Sequence, residues 1–345
     1  MKHTVRALAL GGGAALMLAS LTASVQAETV LKFSTYTPAQ NFVYKNVYIP
    51  MMREIEAKSN GEIKFEAYPG SALGKMPEQY DLVKSGLADI STYIPSYSRG
   101  RFPLTEAGSL PFAFETSDQG TMSLNAVTQK WLGAEHKGVK LLLLWTPVPA
   151  AFLTKGVAIE KIADLKDLKM RSAGAVANDV LKLVGSNVLT VPLPELYTAL
   201  ERGVVNGSIM DPVTAVAYKL YEPADHFTNL SFSSVVAAVG MNTRSWEKLT
   251  PEQQKIVMEA SATAATRVGP IYAEKRREAY EVMRKDNFTM LEFSADEKKK
   301  FADMVVPLWD KWVEKLEDEG IQAKAFMADF KAAIAKHAAM KQASN

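Results

Sequence analysis

The chain has 345 residues and no cysteine, which excludes disulfides, thiolate metal sites and a cysteine-linked lipid anchor. Of its 40 basic side chains, Lys2 and Arg6 belong to the N-terminal segment, leaving 38 basic against 38 acidic in the remainder. That neutral balance gives no electrostatic case for nucleic acid or an anionic membrane surface as partner.

The first 27 residues, MKHTVRALALGGGAALMLASLTASVQA, have a basic start, an apolar middle and a small-residue end. Val25 and Ala27 suit the two small-residue positions of a signal-peptidase site, so residues 1–27 are expected to be a signal peptide and the mature chain to begin at Glu28 in the periplasm. The remaining ~318 residues suffice for two cores. The longest later apolar run, LLLLWTPVPAAFL, is too short to span a bilayer and carries two prolines.

From Glu28 onward strand and helix patterns alternate. TVLKFSTY reads as a strand, a helix ends at REIEAKSNG with Gly61 as its stop, and EIKFEAY alternates as a strand. MPEQYDLVKSGLADISTYI then gives a proline-led helix, a glycine stop and a strand, and LPELYTALERGVVNGSIMD repeats that grammar. Superposing Pro77 on Pro194 also superposes Glu78 on Glu195, Tyr80 on Tyr197, Gly86 on Gly203 and Ser91 on Ser208. Ordinary cap chemistry accounts for part of that match; the repeated order favours two similar α/β lobes. Two β-rich stretches, Gly138–Gly156 and Phe227–Trp246, are long enough to cross between lobes and form a hinge over a cleft. The division expected is lobe I from 28–150, with 240–345 returning to it, and lobe II from 151–239. Thr250, Pro251 and Glu252 open a helix patterned to about Arg284, with a kink expected at Gly269-Pro270. Two further helices are expected at 295–318 and 321–341.

Several chemistries find no support. GSALGKM is one residue short of a phosphate-binding loop and has Met76 where a magnesium-binding hydroxyl is needed. His3, His136, His226 and His337 show no metal-ligand spacing, and no G-x-S-x-G elbow is present. Neither a cofactor nor a metal is expected, and an exported hydrolase or lyase lacks a nucleophile.

The segment LKDLKMRSAG places Arg171 at the end of a strand, just before a helix start. Free amides and the helix dipole make that place electropositive already, so the guanidinium suits an anion, and its planar fork matches a carboxylate. The competing reading is a surface ion pair with Asp164, Asp167 or Asp179.

The stretch from Leu165 to Pro212, together with YPGSALGKMPEQYDLVKSGLADI and GRFPLTEAGSLPFAF, resembles the substrate-binding subunits of tripartite ATP-independent periplasmic (TRAP) transporters, the DctP-like family. The resemblance covers nearly the whole mature chain. It implies an α/β, two-lobe periplasmic binding protein (type II-like), with two hinge crossings and a long kinked helix bracing both lobes. It also implies no enzymatic activity. In that family the arginine of the LK-x-x-K-x-R segment clamps the ligand carboxylate, and Arg171 matches it. Other pocket positions carried over are Tyr36, Tyr93 (with Pro95) and Ser96, Trp145 with Phe152 on the first crossing, Met210 or Asp211 (where many relatives have asparagine), and Phe232. Sialic-acid-binding relatives have a second arginine where this chain has VPAAFLT, which argues against that ligand. The resemblance thus implies capture of a small organic acid, mono- or dicarboxylate, by a monomer that delivers it to the small and large membrane subunits. The alternative is a periplasmic sensor subunit for a signalling receptor.

Overall fold

The computed structural model describes residues 28–285 and 288–344. The signal segment lies outside them. β1 (Thr29–Thr35) leads through a π-helical turn at Tyr44–Tyr48 into α1 (Ile49–Lys58) and back to a parallel β2 (Ile63–Tyr68). The helix stops at Asn60 and Gly61, both at positive φ (50° and 82°), a conformation glycine adopts without steric penalty. A 3-10 turn carrying Pro77 opens α2 (Gln79–Ser85), which leads to β3 (Ile90–Tyr93). α3 (Ser117–Val127), capped by the Thr116 side chain, precedes β4 (Val139–Trp145).

The chain then leaves lobe I. β5 (Ala150–Thr154), β6 (Lys169–Ser172), α4 (Ala175–Leu183), β7 (Asn187–Thr190), α5 (Leu196–Glu201), β8 (Gly207–Met210), α6 (Pro212–Ala217) and β9 (His226–Ser233) build lobe II. β10 (Ala237–Asn242) and α7 (Thr243–Glu247) are back in lobe I, and α8 (Pro251–Lys285) follows. β11 (Thr289–Glu292), α9 (Ala295–Val305), α10 (Leu308–Asp318) and α11 (Ala323–Ser344) complete the chain.

The two sheets share a plan. Lobe I has strand order β2-β1-β3-β10-β4, and lobe II has β7-β6-β8-β5-β9-β11. In each, three parallel strands meet an antiparallel strand that belongs to a crossing: β10 on β3, and β5 on β8. The repeated sequence grammar thus lands on equivalent elements, α2–β3 and α5–β8. The crossings themselves are short, only Thr146–Pro149 and Ser234–Val236 lying between strands; the rest of each predicted stretch is sheet.

Two expectations need correction. Residues 240–345 do not all return to lobe I: β11 adds to β9 as a parallel edge strand, and Phe301, Val305 and Leu308 pack into the lobe II core. The chain then turns back, and Phe326, Met327 and Phe330 of α11 join Leu124 and Val127 of α3 in lobe I. The second correction is the cause of that turn. The helix expected over 295–318 is split by Pro307, which has no amide to continue α9.

α8 is one helix of 35 residues, about 50 Å long. Val257, Ala264, Val268 and Tyr272 bury against lobe I, while Met283 buries against lobe II. Pro270 does not divide it. The carbonyl that Pro270 leaves without an amide partner is that of Thr266, and both residues are exposed, so that side of the helix is open to solvent. Gly269 faces the other way, against α3. A Cβ built there would stand 2.3 Å from Asp118 Cβ and 2.7 Å from its Cα. Gly269→Ala gains about 1 kcal/mol of helix propensity. The clash is with backbone and outweighs it, so a net loss of about 1–3 kcal/mol is expected in thermal or denaturant unfolding.

Candidate functional site

One cavity of about 100 Å³ lies between the lobes. Strand alternation aims Arg171 into it. Met170 points into the lobe II core, and Arg171 takes the opposite face of β6. Arg171 is 3% exposed, and its Nε donates to the Val191 carbonyl at 2.9 Å. Its Nη2 donates to the Tyr97 hydroxyl of lobe I at 2.8 Å. Among the described residues no carboxylate lies within 4.0 Å of it, and Asp164 instead accepts from the amides of Glu160 and Lys161. The surface ion pair is therefore excluded. Both of Arg171's hydrogen bonds go to neutral oxygens, and the charge stays uncompensated. Burying a charge without a partner is costly, so the arrangement favours an anion in the cavity.

The small residues after Arg171 have a geometric function. Ala173, Gly174 and the first turn of α4 line the cavity, and no side chain caps that helix. The Ser96 hydroxyl of lobe I donates to the Ala173 carbonyl at 2.5 Å, and a Cβ on Gly174 would come within 2.7 Å of Ser96 Cβ. The lobes therefore touch where the chain has no side chain.

Aromatic rings make the rest of the wall. Tyr36 and Trp145 come from lobe I, Tyr218 from lobe II and Tyr272 from α8. Trp145 Nε1 donates to the Tyr48 hydroxyl at 3.2 Å, and its ring lies 5.9 Å from that of Tyr272. Two acids also line the cavity. Asp211 ends β8 and caps α6, its Oδ1 accepting from the Thr214 amide at 2.8 Å. Burial pushes its carboxyl up to about 6. Glu106, on a 3-10 turn of lobe I, is pushed up to about 7 by burial, with Glu135 and Asp179 of α4 adding to the shift and Lys315 opposing it.

Of the positions carried over from sequence, Arg171, Tyr36, Ser96, Trp145, Met210 and Asp211 line this cavity. Tyr93 and Phe232 do not. Tyr93 points to the far face of the lobe I sheet, among Tyr80, Phe102 and His136, sharing a 2.5 Å hydrogen bond with His136 Nδ1. Burial takes the His136 imidazole down to about 3, so it stays neutral. Its neighbour Ile94 takes the cavity side. Phe232, 1% exposed, packs between Phe152 and Phe301 in lobe II, with ring centroids 5.1 and 4.8 Å away, and the following Ser233 and Ser234 reach the cavity instead. Phe152 is core for the same reason. Sequence reasoning missed Tyr97, Glu106, Tyr218 and Tyr272. Tyr97 carried a usable signal, as the residue next to Ser96 in a loop already singled out; Tyr272 sits on a buried helix face and carried none. Among the described residues no group of three or more His, Asp or Glu is placed to hold a metal.

A ligand-sized cavity between two α/β lobes joined by two short crossings, with a buried cation in its wall, defines a two-lobe solute-binding protein. The chain belongs to the bacterial extracellular solute-binding proteins, family 7, whose profile matches residues 33–316; these are the DctP-like substrate-binding proteins of TRAP transporters. It is 25% identical over 327 residues to the C4-dicarboxylate-binding periplasmic protein DctP of Rhodobacter capsulatus, covering 91% of this chain and 96% of that one. Among solved structures it is similar to a TRAP solute-binding protein from Rhodoferax ferrireducens in complex with copurified benzoate, with TM-score 0.85 and 27% identity over 91% of this chain and 99% of the other. A Bordetella bronchiseptica TRAP protein with bound mandelate gives TM-score 0.83 and 25% identity, covering 89% and 99%. No helix among the described residues is long and apolar enough to cross a membrane.

Gly174→Ala holds the lobes apart; ligand affinity is expected to fall about tenfold, as an overpacking cost of 1–3 kcal/mol implies, while the unfolding temperature of the ligand-free protein stays within 1–2 °C of wild type. Glu106 gains its charge as pH rises through about 7, placing a negative group in the wall of a site suited to anions. Asp211, raised to about 6, gains charge over the lower part of the same range, so affinity for a monocarboxylate is expected to fall about fivefold between pH 6 and 8 and Glu106→Gln to reduce the part of that fall above pH 7 in calorimetric titrations.

Proposed function

We propose that this chain is the periplasmic solute-binding subunit of a TRAP transporter for small organic acids. It acts as a monomer, captures the acid between its lobes and delivers it to the small and large membrane subunits, with no chemical change to the ligand. The observation that carries this is Arg171, buried and hydrogen-bonded only to neutral oxygens, in a cavity whose wall also holds the rings of Tyr36, Trp145, Tyr218 and Tyr272. A carboxylate supplies the missing charge through two parallel hydrogen bonds, each contributing about 1.5–3 kcal/mol.

The cavity bounds the rest of the ligand. A dry cavity of about 150 Å³ takes one benzene molecule, and this one is of that order, so the tail is a single ring or a short chain. A ring burying about 150 Å² contributes about 4 kcal/mol, most of what a micromolar complex needs beyond the clamp. The relatives agree with that size: benzoate in the Rhodoferax protein, mandelate in the Bordetella protein, and 3-hydroxybenzoate in a marine TRAP protein 26% identical to this one.

The test is calorimetry on benzoate, mandelate and short aliphatic acids with two variants. Arg171→Ala removes the charge; Arg171→Lys keeps it and loses the fork. Both are expected to weaken binding tenfold or more, about 1.4 kcal/mol. Equal affinity in wild type and both variants overturns the assignment.

A further inference from the structure

A buried phenol hydroxyl usually has a hydrogen-bond partner. Tyr97, Tyr48 and Tyr36 follow that rule. Tyr97 accepts from Arg171 at 2.8 Å, Tyr48 accepts from Trp145 Nε1 at 3.2 Å behind the wall, and the Tyr36 hydroxyl meets the Thr37 side chain. Tyr218 and Tyr272 do not follow it. Both line the cavity, and neither hydroxyl makes a hydrogen bond to a described residue. Tyr272 is 3% exposed, and its ring is fixed by Phe42, edge-on at 5.1 Å between centroids, and by Trp145 at 5.9 Å. Tyr218 ends α6 in lobe II, so the two phenols reach the cavity from separate elements. Asp211 is a neighbour of Tyr272, but its carboxyl is engaged by the amides of Val213 and Thr214 and by the Thr214 side chain. Burial chiefly, then Asp211 and the phenols of Tyr36, Tyr48 and Tyr218, hold the Tyr272 phenol well above its ordinary range; burial and then Tyr97 raise that of Tyr218. Both keep their protons at neutral pH and present O–H donors.

An O–H enclosed with a ligand and given no acceptor destabilises the complex, and an acceptor on the ligand removes that cost. Arg171 cannot be the acceptor, because a guanidinium only donates. It also has its own hydroxyl partner in Tyr97, whereas Tyr272 stands with Phe42 and Trp145, among the rings that enclose a tail. We propose that the Tyr218 and Tyr272 hydroxyls form a second polar subsite of the cavity, which takes a hydroxyl or carbonyl oxygen on the tail of the bound acid. The proposal rests on the carboxylate-clamp reading of Arg171 and deepens it to a ligand class, the hydroxy and oxo monocarboxylic acids. A bare hydrocarbon tail leaves both donors without acceptors. An oxygen on the tail accepts from them, and a ligand hydroxyl can also donate back to a phenol oxygen.

The experiment is calorimetry at pH 7.5 with methyl isosteres as size-matched controls. The hydroxybenzoates are set against the toluates, and 4-hydroxypentanoate and 4-oxopentanoate against 4-methylpentanoate. In whichever series binds, the best oxygen-bearing acid is expected to bind about fivefold tighter than its methyl isostere, the effect of one net hydrogen bond. The oxo acid only accepts, so a preference for it identifies the phenols as the donors. Tyr218→Phe and Tyr272→Phe keep each ring and remove its hydroxyl. The double variant is expected to bring the ratio to about one, and each single variant to an intermediate value. The methyl isostere is expected to bind the variants as tightly as wild type or tighter, because an unsatisfied hydroxyl has gone. A purely structural role for the hydroxyls weakens both ligands alike. A wild-type ratio near one, a ratio unchanged in the double variant, or an equal loss for both ligands overturns the proposal. A ratio unchanged in one single variant removes that tyrosine from the subsite. If Arg171→Ala abolishes binding while the wild-type ratio is flat, this inference alone fails; if no acid binds, the clamp reading fails with it.

Discussion

Arg171, buried at 3% exposure and hydrogen-bonded only to neutral oxygens, is the constraint on which this molecule is organised. Its place on the strand follows from alternation, because Met170 must fill the lobe II core and Arg171 must then face the other way. Its two protein partners fix the orientation of the fork. Neither removes the charge. The sequence around it supplies what such a group requires: small residues on the following turn, so that nothing covers it from its own lobe, and an uncapped α4 whose first amides share its polarity.

Lobe closure completes that environment. Tyr97, which accepts from Nη2, belongs to the opposite lobe, as does Ser96 on the Ala173 carbonyl. Separation of the lobes gives both groups back to water; contact desolvates them together. The chain path couples the two bodies more tightly than a two-strand hinge does. Besides the short crossings at 146–149 and 234–236, α8 buries side chains in both lobes and the tail visits lobe II before returning. Phe112 adds a further link, its amide donating to the Phe232 carbonyl at 2.7 Å.

Much of this was readable before any coordinates. Pro77 with Gly86, and Pro194 with Gly203, marked the paired helices because proline and glycine act through local backbone geometry, and both glycines do sit at positive φ (88° and 70°). Arg171 was readable because a permanent cation at a strand-to-helix junction is a local contradiction. Tyr93 and Phe232 were misplaced for a physical reason. β3 is buried at all four positions, and a strand covered on both faces has no polar alternation to say which side chain points where. The split of the tail between lobes was also not readable. β11 is four residues long, and its partner β9 lies about 60 residues earlier, a pairing no local pattern encodes. Tyr272 shares its helix face with Val268 and Ala265, so periodicity marks it as core; only the position of the cleft makes it wall.

Both lobes contribute polar and aromatic groups to the cavity wall. Lobe II contributes Arg171, Asp211 and the ring of Tyr218 to the cavity wall. Lobe I, with α8, brings Tyr36, Trp145 and Tyr272, whose positions are fixed from behind: Trp145 by Tyr48, and the strands beneath them by Gln79, which accepts from both Ser34 and Ser91. A rigid aromatic wall loses little entropy on contact, so its burial of a ligand tail is converted into affinity with small ordering cost. A buried cation and an aromatic wall in one cavity reinforce each other. A charged hydrogen bond is worth more once water has left, and water leaves only when the ringed wall arrives. On the proposed carboxylate-clamp reading, an acid whose tail fails to fill that wall keeps water in the cleft and loses part of the clamp as well, which ties discrimination at the tail to discrimination at the head.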